Sequence, residues 1–90
     1  MVLFTVVGFK YRHMTPRVML TTKSITLEPE STNEVDPNAV KVLCDNIHVG
    51  YVTAEECYAI RKLLQTVPKY TISVVAIYAA SAKCNYLAAT

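Results

Sequence analysis

The amino-acid sequence predicts a mainly β domain with one α-helix, in which five or six short strands close into a small, partly open barrel. Three observations lead there. Apolar, β-branched runs of strand length recur along the chain, separated by clusters of Pro, Asn and Asp. Helical periodicity occurs once, after Thr53. A hydrophobic fraction of 52% over 90 residues supplies one core, and so a single domain over residues 1–90, near the lower end of what folds alone.

The first strand is expected at Leu3 to Val7 (LFTVV). Gly8 interrupts it before FKY resumes, as at a bulge or a close backbone approach. Thr15-Pro16 breaks the pattern, and Arg17 to Leu27 (RVMLTTKSITL), rich in Thr, Val and Ile, reads as a second strand. Glu28 to Asn38 is loop, punctuated by Pro29 and Pro37. Ala39 to Cys44 and Ile47 to Val52 form a hairpin about Asp45-Asn46, two residues that tolerate positive φ. Thr53-Ala54-Glu55-Glu56 fits a capping box. The helix it opens carries an apolar stripe of Ala54, Cys57, Tyr58, Ile60, Leu63 and Leu64, and Pro68 stops it. Tyr70 to Ala79 is the plainest strand in the chain, and a short last strand lies around Cys84 to Ala88. The helix is expected to plug one end of the barrel or cover its side.

Net charge is +2, unevenly spread. Before Glu28 the chain carries Lys10, Arg12, Arg17 and Lys23 and no acid. After Glu56 it carries Arg61, Lys62, Lys69 and Lys83, again with none, so all seven carboxylates lie from Glu28 to Glu56. The basic ends make one positive face if the fold joins them, and otherwise a scattered set of solvated cations. Three cysteines without CxxC spacing argue against a disulfide scaffold and for a reducing, intracellular setting. No apolar run reaches about 18 residues, so no membrane-spanning helix is expected. The apolar N-terminus lacks a basic flank and a small-residue cleavage site, and reads as a strand rather than a signal peptide. Cys44 and His48 face each other across the expected hairpin, but two ligands do not make a zinc site. With no Gly-rich phosphate loop and no Cys-His-Asp order, neither catalysis, metal nor cofactor is expected.

Four short motifs follow one another in the first two thirds or so of the chain. They are Gly8-Phe9-Lys10-Tyr11; Leu27-Glu28-Pro29; Asn33-Glu34-Val35-Asp36-Pro37-Asn38-Ala39-Val40-Lys41-Val42; and Val49-Gly50-Tyr51-Val52. In this order they resemble the HIRAN domain, a DNA-end-binding module found at the N-terminus of helicase-like transcription factor and related translocases. Beyond the helix the resemblance is confined to a matching strand at Tyr70.

The resemblance implies an OB-like or SH3-like barrel that binds single-stranded DNA without enzymatic activity and prefers a free 3′-hydroxyl end. By motif position, Lys10 and Tyr11 match the family's basic–aromatic pair, which meets phosphates and stacks on a terminal base. Asp36 matches the carboxylate that accepts a hydrogen bond from the 3′-hydroxyl. Two positions depart from the pattern. Val35 stands where an aromatic commonly completes the base sandwich, and Lys10 stands for Arg, which keeps the charge and loses the bidentate geometry. A third family contact, an aromatic near the C-terminal end, falls on Tyr78 or Tyr86.

The residues themselves leave alternatives open. A carboxylate suits a DNA site only where it meets a donor, so Asp36 would distinguish a hydroxyl end from a 3′-phosphate or a continuing strand. It equally suits an Asx turn that braces the loop near Asn38. Tyr11, between Lys10 and Arg12, suits a phosphate-and-base contact, or is a half-buried strand tyrosine. Gly50-Tyr51 reads as structural, the tyrosines at 58, 70 and 78 as core or edge positions, and Cys57 as core. Two function classes follow. The first is a binding module with electrostatic capture by Lys10, Arg12 and Arg17, stacking on Tyr11 and end selection by Asp36. The second is a protein-interaction or assembly module with a weakened DNA site, supported by Val35 and by an edge strand at Tyr70 to Ala79 that pairs with a partner or with itself. No helicase or nuclease motif accompanies the domain, so chemistry on DNA would belong to another protein.

Overall fold

The structure is a computed structural model that describes residues 2–89. Six strands form one antiparallel sheet: β1 (Val2–Val7), β2 (Ile25–Pro29), β3 (Val40–Cys44), β4 (Ile47–Val52), β5 (Tyr70–Ile77) and β6 (Ala82–Ala88). One helix, α1 (Ala54–Thr66), joins β4 to β5. The strand order is β2-β3-β4-β1-β6-β5, so the first strand sits between two hairpins formed later in the chain. This is the mainly β, one-helix half-barrel that the strand pattern predicts.

Alternation sets the core. Along β3 and β6 every second residue is buried, and Val40, Val42, Cys44, Ala82, Cys84 and Tyr86 all face inward with Phe4 and Val6 of β1. Helix α1 adds Cys57 and Ile60, both buried; removing a side chain such as Ile60 from water is worth about 1.5–3 kcal/mol. The Asp45-Asn46 turn has positive φ at both residues, 51° and 69°, as the hairpin required.

Two irregularities curl the sheet: a register shift between Val42 and Leu43 in the β3–β4 pair, and another between Val74 and Ala76 in the β5–β6 pair. Curling brings the edge strands β2 and β5 together without a ladder between them. Tyr70 spans the seam: its hydroxyl accepts from Leu27 N at 2.8 Å and lies 3.4 Å from Leu27 O. At its other end β5 meets the segment Pro16–Leu20. The β5 edge is therefore approached from both ends by the chain's own elements.

Several local expectations are overturned. Phe9–Arg12 is a 3-10 turn rather than a resumed strand. Gly8, at φ 81°, ends β1 instead of bulging it, and the turn delivers Phe9 to the core, 2% exposed. Pro16–Leu20 is also 3-10, so only Ile25 to Leu27 of the expected second strand pairs. Pro16 begins that turn and Met19 is buried by it, and burial outweighs a modest β propensity. Strand β2 runs on to Pro29, tolerated there because an edge strand needs no amide donor on its open side.

The capping box does not form. The Thr53 hydroxyl donates to the Glu56 carboxylate, and that carboxylate accepts from Thr5 N at 2.8 Å; Thr53 N donates to Thr5 O at 3.0 Å. Strand β1 pairs with β4 only at Val6–Val52 and Val7–Tyr51, which leaves Thr5's backbone groups for the helix start to satisfy. On the helix, Tyr58 is 62% exposed and Ala54 is exposed as well, so the buried stripe is narrower than the apolar one. Cys44 pairs with Ile47, not His48, and lies in the core.

Two substitutions test this architecture. Tyr70→Phe removes the seam bond and should cost about 1–2 kcal/mol in urea unfolding; an unchanged midpoint would show that the seam closes without it. A Cβ at Gly50 would lie 2.6 Å from Val7 O. Gly50→Ala should therefore destabilise by about 1–3 kcal/mol or more, whereas stability equal to the parent's would mean that β1 and β4 part without penalty.

Candidate nucleic-acid interface

The site forms where β1 ends. Because Gly8 turns left-handed, Lys10 and Tyr11 leave the sheet and project into solvent, Tyr11 79% exposed, with Lys10 Nζ 5.7 Å from its ring centroid. A depression of about 380 Å³ lies beside them, lined by Gly8, Lys10, Tyr11, Pro16 and Ala79 among others. A second, of about 300 Å³, lies across the Val7–Gly8 backbone and is lined by Val35, Asp36, Ala39, Tyr51 and Val52. Val7 lines the second and Gly8 the first, and Tyr51, in the wall of the second, has its Cδ2 3.8 Å from where a Cβ on Gly8 would sit.

Lys10, Tyr11, Val35 and Asp36 thus occupy neighbouring depressions, although the two pairs lie far apart in sequence. Arg12 is exposed, and its positive field reaches His48 and Tyr51. Arg17 lies farther along, beside Ile77 and Tyr78 in a depression that shares Thr15 and Pro16 with the first. Tyr86 is 2% exposed and gives its hydroxyl to Val67 O, which leaves Tyr78, 57% exposed, as the surface aromatic of that pair. The C-terminal cations Arg61, Lys62, Lys69 and Lys83 line none of these depressions, and Lys62 instead lies 6.0 Å from the Tyr58 ring.

The loop carrying Asp36 is braced by hydrogen bonds. Asp36 Oδ1 accepts from Asn38 N at 2.9 Å, the Asx turn that Pro37 and Asn38 suggested. Its backbone carbonyl accepts from Ala39 N at 3.0 Å, and Cys57 Sγ lies 3.8 Å from Oδ2. Asn33 Oδ1 accepts from both Val35 N and Asp36 N at 2.9 Å. Val35 itself is 96% exposed. An aliphatic side chain at the loop tip provides apolar surface but no ring to stack on.

Beneath the loop, Glu30 Oε1 accepts from Asn33 Nδ2 at 2.8 Å and from the Tyr51 hydroxyl at 2.9 Å, while Lys41 Nζ lies 3.6 Å from Oε2. The bond from Asn33, with those from Tyr51 and Lys41, holds the Glu30 carboxyl below its ordinary pKa despite partial desolvation. Tyr51 is pushed up by burial and by Glu30. His48 packs edge-on to Tyr51, at 4.7 Å between centroids, and burial together with Arg12 holds its pKa down. Since a carbonyl only accepts, the 3.0 Å contact between His48 Nε2 and Gly50 O places the ring proton on Nε2. Sequence reasoning placed Tyr51 in structural packing and gave Glu30 and Asn33 no role. The signal was present in the Val-Gly-Tyr and Asn-x-x-Asp motifs, but only the fold shows that they meet.

Two carboxylates have depressed folded-state values: Glu30, and Asp45, whose side chain accepts from Ser24 N at 2.9 Å and Lys23 N at 3.0 Å. Each therefore contributes stability that is complete above its ordinary pKa, 4.5 for Glu30 and 3.8 for Asp45, and is lost as pH falls through the lower folded value. Thermal melts should show an acid limb beginning near these values, shallower in Glu30→Gln and in Asp45→Asn. Parallel limbs in parent and variants would remove both residues from the account.

No curated protein matches the chain significantly in sequence. In structure it is similar to the crystal structure of the HIRAN domain of human HLTF, with a TM-score of 0.63 and 21% identity, over 94% of this chain and 73% of that one. A family model described as the HIRAN domain matches residues 1–88. The chain therefore belongs to the HIRAN domain family, a family of DNA-binding modules.

Proposed function

We propose that the chain is a non-enzymatic module that binds single-stranded DNA and prefers strands ending in a free 3′-hydroxyl. The observation that carries this reading is the placement of Lys10 and Tyr11 in one depression and Asp36 in another, the two meeting at the consecutive residues Val7 and Gly8. A strand lying across Gly8 would meet a cation, an exposed aromatic face and a carboxylate within one footprint. Capture falls to Lys10, Arg12 and Arg17, all exposed and, among the described residues, none with an acidic partner within salt-bridge distance. Tyr11 supplies the stacking surface. Asp36 supplies selection, since it accepts a hydrogen bond from a hydroxyl and repels a terminal phosphate. Three free, buried thiols suit a reducing compartment.

The second reading, a protein-interaction module, rests on Val35, an apolar side chain presented at a loop tip with no neighbour to cover it. Its other support weakens, because the β5 edge is approached by β2 at Tyr70 and by Pro16–Leu20.

Fluorescence anisotropy on labelled oligonucleotides separates the two. The 3′-hydroxyl strand should bind more tightly than the same strand ending in 3′-phosphate, and Asp36→Ala should abolish the difference. Tyr11→Ala should weaken binding by about 1–3 kcal/mol, and Val35→Tyr should recover a comparable amount. The salt slope should be shallow, about −0.7 per phosphate contacted, and smaller in Lys10→Ala. Equal binding of both ends, unchanged in Asp36→Ala, would sink end recognition and turn attention to a protein partner.

A further inference from the structure

Asp36 is the candidate selecting group, yet its loop is shaped from below by a different carboxylate. Glu30 follows Pro29, the last residue of β2, and closes the base of the loop with its backbone. Its N–H donates to Ala39 O at 2.8 Å, and its carbonyl accepts from Asn33 N at 3.1 Å. Its side chain joins the two walls of the Asp36 depression, since Oε1 takes one bond from Asn33 on the loop and another from Tyr51 on β4.

The chemistry of Asn33 makes this bond directional. A side-chain amide has one accepting end and one donating end. With Nδ2 committed to the Glu30 carboxylate, Oδ1 must face the opposite way, and there it accepts from both Val35 N and Asp36 N. The flipped amide would set an NH2 against two backbone donors and an oxygen against a carboxylate. A hydrogen-bond acceptor at position 30 therefore favours the one Asn33 orientation that fastens the backbone of Val35 and Asp36. Lys41, 3.6 Å from Oε2, offsets the charge that an acid so near a DNA site would otherwise present.

We infer that Glu30 is the positioning residue of the end-binding loop, acting through Asn33 on Asp36 and through its hydroxyl bond on the Tyr51 ring. The consequence for end selection rests on the function proposed above; the consequence for the loop does not.

The test uses Glu30→Ala and Glu30→Gln in the whole chain, with Tyr51→Phe to remove only the β4 half of the link. The first readout is amide hydrogen exchange at Val35 and Asp36. It should accelerate about tenfold in Glu30→Ala, on the order of one lost hydrogen bond, and stay near the parent's rate in Glu30→Gln, whose carbonyl still accepts from Asn33. The second readout is the ratio of affinities for 3′-hydroxyl and 3′-phosphate strands. That ratio should collapse in Glu30→Ala and survive in Glu30→Gln, a pattern that uniform destabilisation does not produce.

Unchanged exchange in Glu30→Ala overturns the inference, as does accelerated exchange with the ratio intact. If the parent shows no preference between ends while exchange still rises in Glu30→Ala, the loop assignment stands and the end-recognition reading falls. Should Glu30→Ala fail to fold, Tyr51→Phe decides: a ratio equal to the parent's, with Val35 and Asp36 exchange unchanged, overturns the two-walled link.

Discussion

Strand β1 presses the Val7 carbonyl against the face of Gly50, so closely that no side chain fits there, and much of the molecule follows from that contact. It brings β1 and β4 together over two residue pairs and then lets them part, β1 turning out at Gly8 while β4 runs on into the helix. The parted backbone at Thr5 is taken up by Thr53 and Glu56, which ties the start of α1 to the first strand. The left-handed turn at Gly8 then carries Lys10 and Tyr11 out beside Tyr51. Two glycines therefore do different work. Gly50 allows approach, and Gly8 allows departure.

The distribution of acids and bases reads differently once folded. A cluster of carboxylates ahead of β3 would weaken a nucleic-acid surface if all of it faced the ligand. Lys41 lies within 4 Å of both Glu28 and Glu30, at 3.8 and 3.6 Å, and Glu30 is further occupied by Asn33 and Tyr51. Asp36 spends one oxygen on its own turn. Glu30 and Asp36 thus serve as internal acceptors in a polar loop, and the exposed cations of the first 3-10 turn, Lys10 and Arg12, have no such partner among the described residues.

Closure of the barrel rests on single side chains rather than ladders. Tyr70 bridges the seam and stacks on Tyr86, with centroids 4.7 Å apart, and Tyr86 in turn bonds the segment after α1 through Val67 O. The paired tyrosines link β2, β5, β6 and the helix exit. In a chain of this size such polar ties matter, because the total stability of a small domain is itself only several kcal/mol.

What the sequence determined alone was everything set by neighbours along the chain. The strands at Ala39 to Cys44 and around Cys84 to Ala88, two turn residues at Asp45-Asn46, a single helical period after Thr53 and the order of the HIRAN motifs were all legible. So were Lys10, Tyr11 and Asp36 as candidates. Tertiary structure decided what depends on partners distant in sequence. Arg17 to Leu20 has strand-like residues but is 3-10, because burying Met19 beside the barrel outweighs propensity. Glu56 looked like a capping residue and serves Thr5 instead. Tyr51 and Glu30 carry no local mark of a shared task; only the approach of β4 to the loop after β2 puts a hydroxyl and a carboxylate 2.9 Å apart. Local periodicity encodes elements, whereas the candidate site, drawn from segments distant in sequence, comes together only when the sheet has curled.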